Sequence, residues 1–341
     1  MYNLGLGLLL LNRYVFDIQL SVYMWVINME IEKDTIDDVM RAVFESILRD
    51  GVLVETTRGA TKEILGIHII LNNPNCRISR TESRGKIFTC LGELMWYLSG
   101  SDDVDFISYY IAKYRESAES NGKINGAYGP RLFGIKDGVN QIENVIHLLQ
   151  QRNTSRRAAI QLFDANDIAH TFKDVPCTVG LQFAIRNDSL DMFTFMRSND
   201  ARAGLVHDIF AFTMLQEMVA RTLKLNLGIY RHYAASLHIY TDDIPSIEAA
   251  LEEGYASSSP VMNPMPEEAL SDYLSTIVEA EKNIRDGEIP DIDELNLSEY
   301  WKDILRMLAI FRSRKNKNKP VALAIADKLK NQSFKIYLEK L

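Results

Sequence analysis

Asp174-Val175-Pro176-Cys177, followed by Met196-Arg197-Ser198-Asn199-Asp200, is the stretch on which the reading of this chain turns. A single cysteine sits at a proline corner. The alternating segment Val179–Ile185 is answered by Met192–Met196 across Asn187-Asp188-Ser189, a turn sequence, so the two predict a β-hairpin. A hairpin returns its end to its start, which brings Arg197 back toward Cys177. A thiol attacks carbon only as the thiolate, and a nearby guanidinium favours that form. X-Pro-Cys before a strand is also what a buried structural cysteine looks like, and the motif alone does not separate the two.

The 341 residues are 47% hydrophobic and 25% charged, with a formal net charge of -8. That composition suits a globular chain with one large or two modest cores. The acidic balance argues against a general nucleic-acid binder, whose affinity rests on neutralising phosphates. The three cysteines, Cys76, Cys90 and Cys177, have no CxxC spacing. This points to a reduced, cytoplasmic setting, with neither a disulfide framework nor a metal site. In residues 1–28 the apolar runs Leu4–Leu11 and Val22–Ile27 are separated by Asn12, Arg13, Asp17 and Gln19. No uncharged span of about 18 residues exists, so no membrane segment is expected. No signal-peptide pattern is evident either. Met29 looks like a natural start, and 1–28 reads as an accessory extension or as sequence upstream of a misassigned start codon.

Helical spacing predicts helices over Ile36–Leu48, Ile87–Leu98, Ile142–Gln151 and Asp208–Leu223, the last nearly all apolar and therefore central. Glu63–Leu71, Ala158–Phe163 and Tyr230–Tyr240 read as strands. After residue 245 Glu, Lys, Asp and Leu dominate. Helices are expected there over Glu267–Arg285, Tyr300–Arg312 and Val321–Leu341, with Arg312–Lys319 a solvated basic run. The expected class is α+β: a sheet-based core over 29–245 and a helical region over 246–341.

Six motifs in order carry a resemblance. They are Gly92-Glu93-Leu94-Met95-Trp96-Tyr97-Leu98-Ser99-Gly100, Gly126-Ala127-Tyr128-Gly129, Ser155-Arg156-Arg157, Pro176-Cys177, Arg197-Ser198-Asn199-Asp200 and His238-Ile239-Tyr240. Each alone is weak; together, over about 50 to 245, the series resembles the thymidylate synthase superfamily. The resemblance implies a homodimer with shared active sites, acting on a pyrimidine nucleoside monophosphate with 5,10-methylenetetrahydrofolate, and neither a nucleic-acid nor a membrane partner. By it, Cys177 adds to C6 of the pyrimidine and makes C5 nucleophilic. Arg197 and Ser198 hold the 5′-phosphate, with Arg58 on a mobile loop and Arg156 and Arg157 arriving from the partner subunit. Glu93 orders water and relays protons at the base, and Tyr128 assists loss of the C5 proton. His238 and Tyr240, on one strand face, bind the sugar 3′-hydroxyl. Asn199 and Asp200 lie with the nucleotide, and Glu93, Asp200 and Gly204 with the folate. His207 and His232 are read as structural or peripheral.

Four departures from the synthase pattern matter. Asp208 stands where the synthase has an asparagine. Uracil presents an N3–H donor and an O4 acceptor, which one carboxamide satisfies; a carboxylate cannot donate to O4. Cytosine presents the reverse pattern, which a carboxylate sharing a proton with N3 complements, so Asp208 points to a cytidylate. Thr178 replaces a histidine after the nucleophile. Tyr114-Arg115-Glu116-Ser117 lacks a tryptophan that, in the synthase, covers the exocyclic methylene intermediate. A long helical segment replaces the short C-terminal tail, and Pro320-Val321-Ala322-Leu323 lies inside the chain. These departures favour water over hydride as the last nucleophile, as in the cytidylate 5-hydroxymethylases, with dCMP and CMP both open. Two other readings stay open: a divergent thymidylate synthase acting on dUMP, and a catalytically silent nucleotide-binding or scaffold member.

Overall fold

The computed structural model describes residues 29–80, 86–134, 138–254 and 261–338; the extension expected over 1–28 lies outside them. Their strands are β1 (Met29–Lys33), β2 (Val52–Thr56), β3 (Gly59–Leu71), β4 (Ala159–Gln161), β5 (Thr178–Arg186), β6 (Ser189–Met196), β7 (Asn199–Asp200) and β8 (Asn226–Tyr240). They join in one mixed sheet of order β1-β3-β8-β6-β5-β4, with β2 added to β3 and β7 to β8. The helices are α1 (Ile36–Asp50), α2 (Ile87–Leu98), α3 (Val104–Tyr110), α4 (Tyr128–Phe133), α5 (Gln141–Gln151), α6 (Asn166–Ala169), α7 (Leu205–Thr222), α8 (Ile244–Glu252), α9 (Leu270–Asp286), α10 (Glu299–Lys315) and α11 (Lys319–Ala326). This is the α+β class expected.

The hairpin that carries the cysteine closes through Asn187 (φ 48°) and Asp188 (φ 55°). Two left-handed residues make a turn whose twist matches the strands, and short polar side chains tolerate that conformation best. Register then pairs Arg186 with Ser189 and Thr178 with Met196, with an irregularity between Thr178 and Gly180. Arg197 N–H accordingly donates to the Cys177 carbonyl at 2.9 Å.

One face of the sheet is packed by helices and the other is not. On β3, Ile67, Ile69 and Leu71 are buried, and on β8, Tyr230, His232, Ala234, Leu237 and Ile239. The alternate residues His68, Tyr233 and Phe195 instead stack on the open face, with ring centroids 4.2 and 5.3 Å apart. Helix α1 starts at Thr35, whose hydroxyl oxygen accepts from Asp38 N–H at 3.1 Å, a side-chain N-cap. Helix α7 is buried at every position from Leu205 to Ala220.

The hydrophobic core does not stop at residue 245. Trp301, Ile304, Leu305 and Leu308 of α10 and Ile277 of α9 belong to the same buried cluster as Leu91, Leu94 and Met214. Three expected boundaries shift. β3 begins at Gly59 and not Glu63, because β2 pairs with that end. α7 begins three residues before Asp208, and β8 begins at Asn226. The single helix expected over Val321–Leu341 is broken after α11, with a 3-10 segment at Gln332–Leu338. The cause is a side-chain acceptor: Asp303 takes the backbone N–H of Lys330 at 3.0 Å and of Asn331 at 2.6 Å, hydrogen bonds a continuous helix would have needed.

The core also holds a fully buried ion pair, Arg77 with Glu217, and Glu217 accepts from Met265 N–H as well. Removing one partner strands the other charge in apolar surroundings. Arg77→Met should cost about 3–5 kcal/mol in urea unfolding, and Arg77→Met/Glu217→Leu should be the more stable of the two variants. A double variant no better than the single would show that the pair's value lies elsewhere.

Candidate active site

The first turn of α7, the middle of α2, the β2–β3 turn and the approach to β5 converge on one cavity of about 690 Å³. Arg58, Glu93, Tyr128, Cys177, Asn199, Asp200, Gly204 and Asp208 all line it. Those eight, drawn from seven stretches of sequence, are brought together by the fold.

Cys177 is half-buried, and its sulfur lies 3.9 Å from Arg197 Nη2. The guanidinium is pinned by backbone: Nε donates to the Pro176 carbonyl at 2.9 Å and Nη2 to that of Val175 at 3.0 Å. Burial pushes the thiol up to about 11. Arg197 and Arg58 oppose that shift while Asp208 and Asp174 add to it. The arginine acts in the expected direction, and burial outweighs it.

Thr178 sets the phenol of Tyr128. Its hydroxyl donates to the Tyr128 oxygen at 2.9 Å and its backbone N–H at 3.1 Å. Two donors on one phenol oxygen leave the Tyr128 proton to point elsewhere. Glu93 is buried on α2, where its Oε1 accepts from the Tyr114 hydroxyl at 2.7 Å and from that of Tyr97 at 3.3 Å. Burial raises its pKa; the two phenols and Lys86 oppose this. The segment lacking a tryptophan is therefore not bare. Tyr114 lines the cavity with Trp96 edge-on behind it, centroids 5.3 Å apart.

Asp208 has one oxygen committed: Asn199 Nδ2 donates to Oδ2 at 2.8 Å. Gly204 permits this approach, since a Cβ there would lie 3.3 Å from that oxygen and 3.2 Å from Asn199 Nδ2. Oδ1 has no hydrogen-bond partner among the described residues. Burial, and then the Glu93 carboxyl, push Asp208 up to about 8, against the Asn199 hydrogen bond.

Arg197, Ser198, Arg156, Arg157, His238 and Tyr240 fall around the cavity and not in its lining. Arg197 and Ser198 flank it. Arg156 and Arg157 are exposed on the approach to β4. His238 and Tyr240 sit edge-to-face, centroids 5.6 Å apart. Asp200 is occupied by its own turn, accepting from Arg202 N–H at 2.8 Å and Ala203 N–H at 2.9 Å. His232 is fully buried among hydrogen-bond partners, but His207 lines the cavity. Its Nε2 is 2.9 Å from the Thr89 hydroxyl, and burial lowers it to about 4, so it is neutral. Lys86, Thr89, Trp96 and Asp174 also line the cavity. The sequence signal for them was thin: the first three share the glutamate's helix or its start, and Asp174 precedes the Pro-Cys corner.

Trp96, Tyr110, Ile111 and Tyr114 give the cavity a largely aromatic wall. A flat fused-ring carrier could pack there with a nucleotide beside Cys177, and the volume is ample for a ligand of this kind. No helix among the described residues is long and apolar enough to cross a membrane.

The raised pKa of Asp208 has a measurable result. Unfolded, the carboxyl titrates near 3.8; folded, it keeps its proton to about 8. Folding thus binds a proton in between, and the stability this contributes is complete below the lower value and lost as pH rises through the upper one. Between about pH 5 and 9 the wild-type Tm should fall relative to that of Asp208→Asn. Parallel Tm–pH curves for the two proteins would refute the shift.

The family model for thymidylate synthase matches residues 42–286. The thymidylate synthase of Buchnera aphidicola subsp. Baizongia pistaciae is 26% identical over 208 residues, 59% of this chain and 78% of that one. The deoxyuridylate hydroxymethyltransferase of Delftia phage PhiW-14 is 26% identical over 219 residues, 59% of this chain and 60% of the phage enzyme. A deoxyuridylate hydroxymethyltransferase of Pseudomonas phage M6 is 32% identical over 162 residues, 46% of this chain and 45% of the relative. The chain thus spans about half to four fifths of these relatives' lengths. The one-carbon donor of the family is 5,10-methylenetetrahydrofolate, which the aromatic wall suits. With more than half of its length matched by the family model, this chain belongs to the thymidylate synthase family.

Proposed function

We propose that this protein is a pyrimidine C5 one-carbon transferase that makes the 5-hydroxymethyl derivative of a cytidine monophosphate, dCMP or CMP. The observation that carries the base choice is Asp208: a carboxyl in the cavity, one oxygen held by Asn199 and the other open. Cytosine offers N3 as an acceptor and N4–H as a donor, and a carboxyl holding one proton answers both.

Bound methylenetetrahydrofolate supplies a carbon at the oxidation level of formaldehyde. The chain's own groups do the rest. The Cys177 sulfur, giving up its proton to solvent, bonds to C6, which moves an electron pair to C5 and lets C5 bond to that carbon. Loss of the C5 proton to solvent beside Tyr128 and Glu93 would push its electron pair toward the transferred carbon, whose bond to the folate nitrogen breaks and frees tetrahydrofolate. A water oxygen then adds to the exocyclic carbon, and the sulfur–C6 bond breaks to restore the ring. Arg197 and Ser198 with Arg58 receive the 5′-phosphate, His238 and Tyr240 the sugar, and Asp200 and Gly204 border the folate. Water as the last nucleophile is supported by the lack of an indole in Tyr114-Arg115-Glu116-Ser117, where a phenol tied to Glu93 stands instead. It is also supported by the placing of Pro320-Val321-Ala322-Leu323 in α11, outside the cavity lining.

A second reading has its own support. With its pKa near 8, Asp208 is largely protonated at neutrality, and a neutral carboxyl offers one donor and one acceptor, as a carboxamide does. Uracil can then be met, and the phage relatives are named for deoxyuridylate. Tritium release from 5-tritiated dCMP, CMP and dUMP with methylenetetrahydrofolate, with mass spectrometry of the product, separates the readings. A cytidylate should turn over fastest and gain a hydroxymethyl group. Preference for dUMP would replace the base assignment, a methyl product would favour the divergent synthase, and no exchange with any nucleotide would favour the silent member.

We further propose a homodimer with shared sites, supported by the open, aromatic sheet face and by Arg156 and Arg157 lying outside their own cavity. Mixing Cys177→Ser with Arg157→Ala chains should restore part of the activity through one intact site per heterodimer. Absence of complementation despite proven subunit exchange would count against it.

A further inference from the structure

Behind Asp208 runs a chain of hydrogen bonds that leaves the cavity. Asn199 Nδ2 donates to Asp208 Oδ2 at 2.8 Å, and Asn199 Oδ1 lies 2.9 Å from His232 Nε2. His232 Nδ1 in turn lies 2.9 Å from the Tyr230 hydroxyl. Asn199 is 2% exposed and His232 and Tyr230 are 0% exposed, so no water competes. Neither His232 nor Tyr230 lines the cavity.

With Asp208 ionised, only one sense of donation satisfies every member. The Asp208 carboxylate can only accept, so Asn199 must turn its NH₂ toward it and its carbonyl toward His232. His232 must then donate from Nε2, which makes Nδ1 the acceptor and Tyr230 the donor. Burial lowers His232 to about 3, so the ring is neutral and holds one proton, as this scheme requires. When Asp208 gains a proton while the chain keeps that sense, Oδ2 still faces an N–H and the proton belongs on Oδ1.

That placement bears on base choice. A base anchored through C6 at Cys177 presents N3 and its 4-substituent at fixed places. Cytosine needs the carboxyl hydroxyl opposite N3 and the bare oxygen opposite N4. Uracil needs the bare oxygen opposite N3–H and the hydroxyl opposite O4. The two bases demand opposite ends of the same carboxyl. We propose that Tyr230, His232 and Asn199 are positioning residues that fix which oxygen of Asp208 carries the proton, and thereby set the discrimination between cytosine and uracil. The inference rests on the reading of Asp208 as the group that meets the base edge.

The test is the ratio of kcat/KM for tritium release from dCMP to that from dUMP, in the wild type, Asn199→Ala and Tyr230→Phe. A matched or mismatched polar edge is worth one or more orders of magnitude in selectivity. In both variants the ratio should therefore shrink at least about tenfold, chiefly through KM for the preferred base. Tyr230→Phe is the decisive variant because it touches no ligand. A purely structural role would lower turnover of both bases together and leave the ratio within about twofold, which would overturn the proposal. Calorimetric binding of dCMP and dUMP to Cys177→Ser, with and without Asn199→Ala, reads the same ratio independently of turnover, should a variant turn over neither base; an unchanged binding ratio there overturns it equally. If the wild type prefers dUMP, the cytidylate reading fails on its own; the relay then requires both variants to lose that preference instead.

Discussion

Every polar side chain on the buried helix α7 has to find a partner inside the protein, and much of the architecture follows from where those partners are. From Leu205 to Ala220 every residue of the helix is buried, yet it carries Asp208, Thr213, Gln216 and Glu217. Thr213 turns back to the Ile209 carbonyl at 2.6 Å. Gln216 reaches the Leu190 carbonyl at 2.9 Å and that of Gly228 at 3.2 Å, which ties the helix to the ends of β6 and β8. Glu217 takes Arg77, and Asp208 takes Asn199. An unpaired buried polar group costs on the order of 1–3 kcal/mol. These four contacts therefore fix the rotation and height of the helix against the sheet, and with them the position of Asp208 opposite Cys177.

The segment after residue 245 belongs to the same physical unit. Helices α9 and α10 pack against α2, which carries Glu93, and share its apolar cluster. Tyr110 donates to the buried Glu281 of α9 at 2.6 Å, and Arg285 closes on the same carboxyl at 3.0 Å. Tyr110 is also part of the aromatic wall of the cavity. The late helices thus hold one side of the site from behind.

Much of this was legible in the sequence, for identifiable reasons. The hairpin that sets Arg197 beside Cys177 is encoded by alternation and by Asn187-Asp188, both local signals. The helices α1, α2 and α7 are encoded by spacing, and the cavity set from Arg58 to Asp208 by ordered motifs. What stayed hidden depends on contacts distant in sequence. Nothing near residue 321 reports that Asp303 will take the N–H groups of Lys330 and Asn331 and break the last helix. Nothing near Asp208 reports that Glu93 and burial will keep it protonated, which changes what a carboxyl can donate. His232 looked merely structural because its link toward the cavity, Asn199, meets it only once β7 is laid on β8. Tyr114 was read as the loss of a tryptophan; its hydroxyl on Glu93 becomes visible only when the 3-10 segment Ala112–Ser117 folds against α2.

The neutral resting state of the Cys177 thiol has a consequence for the protein's chemical durability. Oxidation by peroxide and attack by electrophiles proceed through the thiolate. With the thiol pushed up to about 11, only roughly one molecule in ten thousand exposes a thiolate near pH 7. The idle protein is thereby shielded from sulfenic acid formation and from adventitious alkylation. Its sulfur is spared by the same apolar enclosure that makes it slow to ionise.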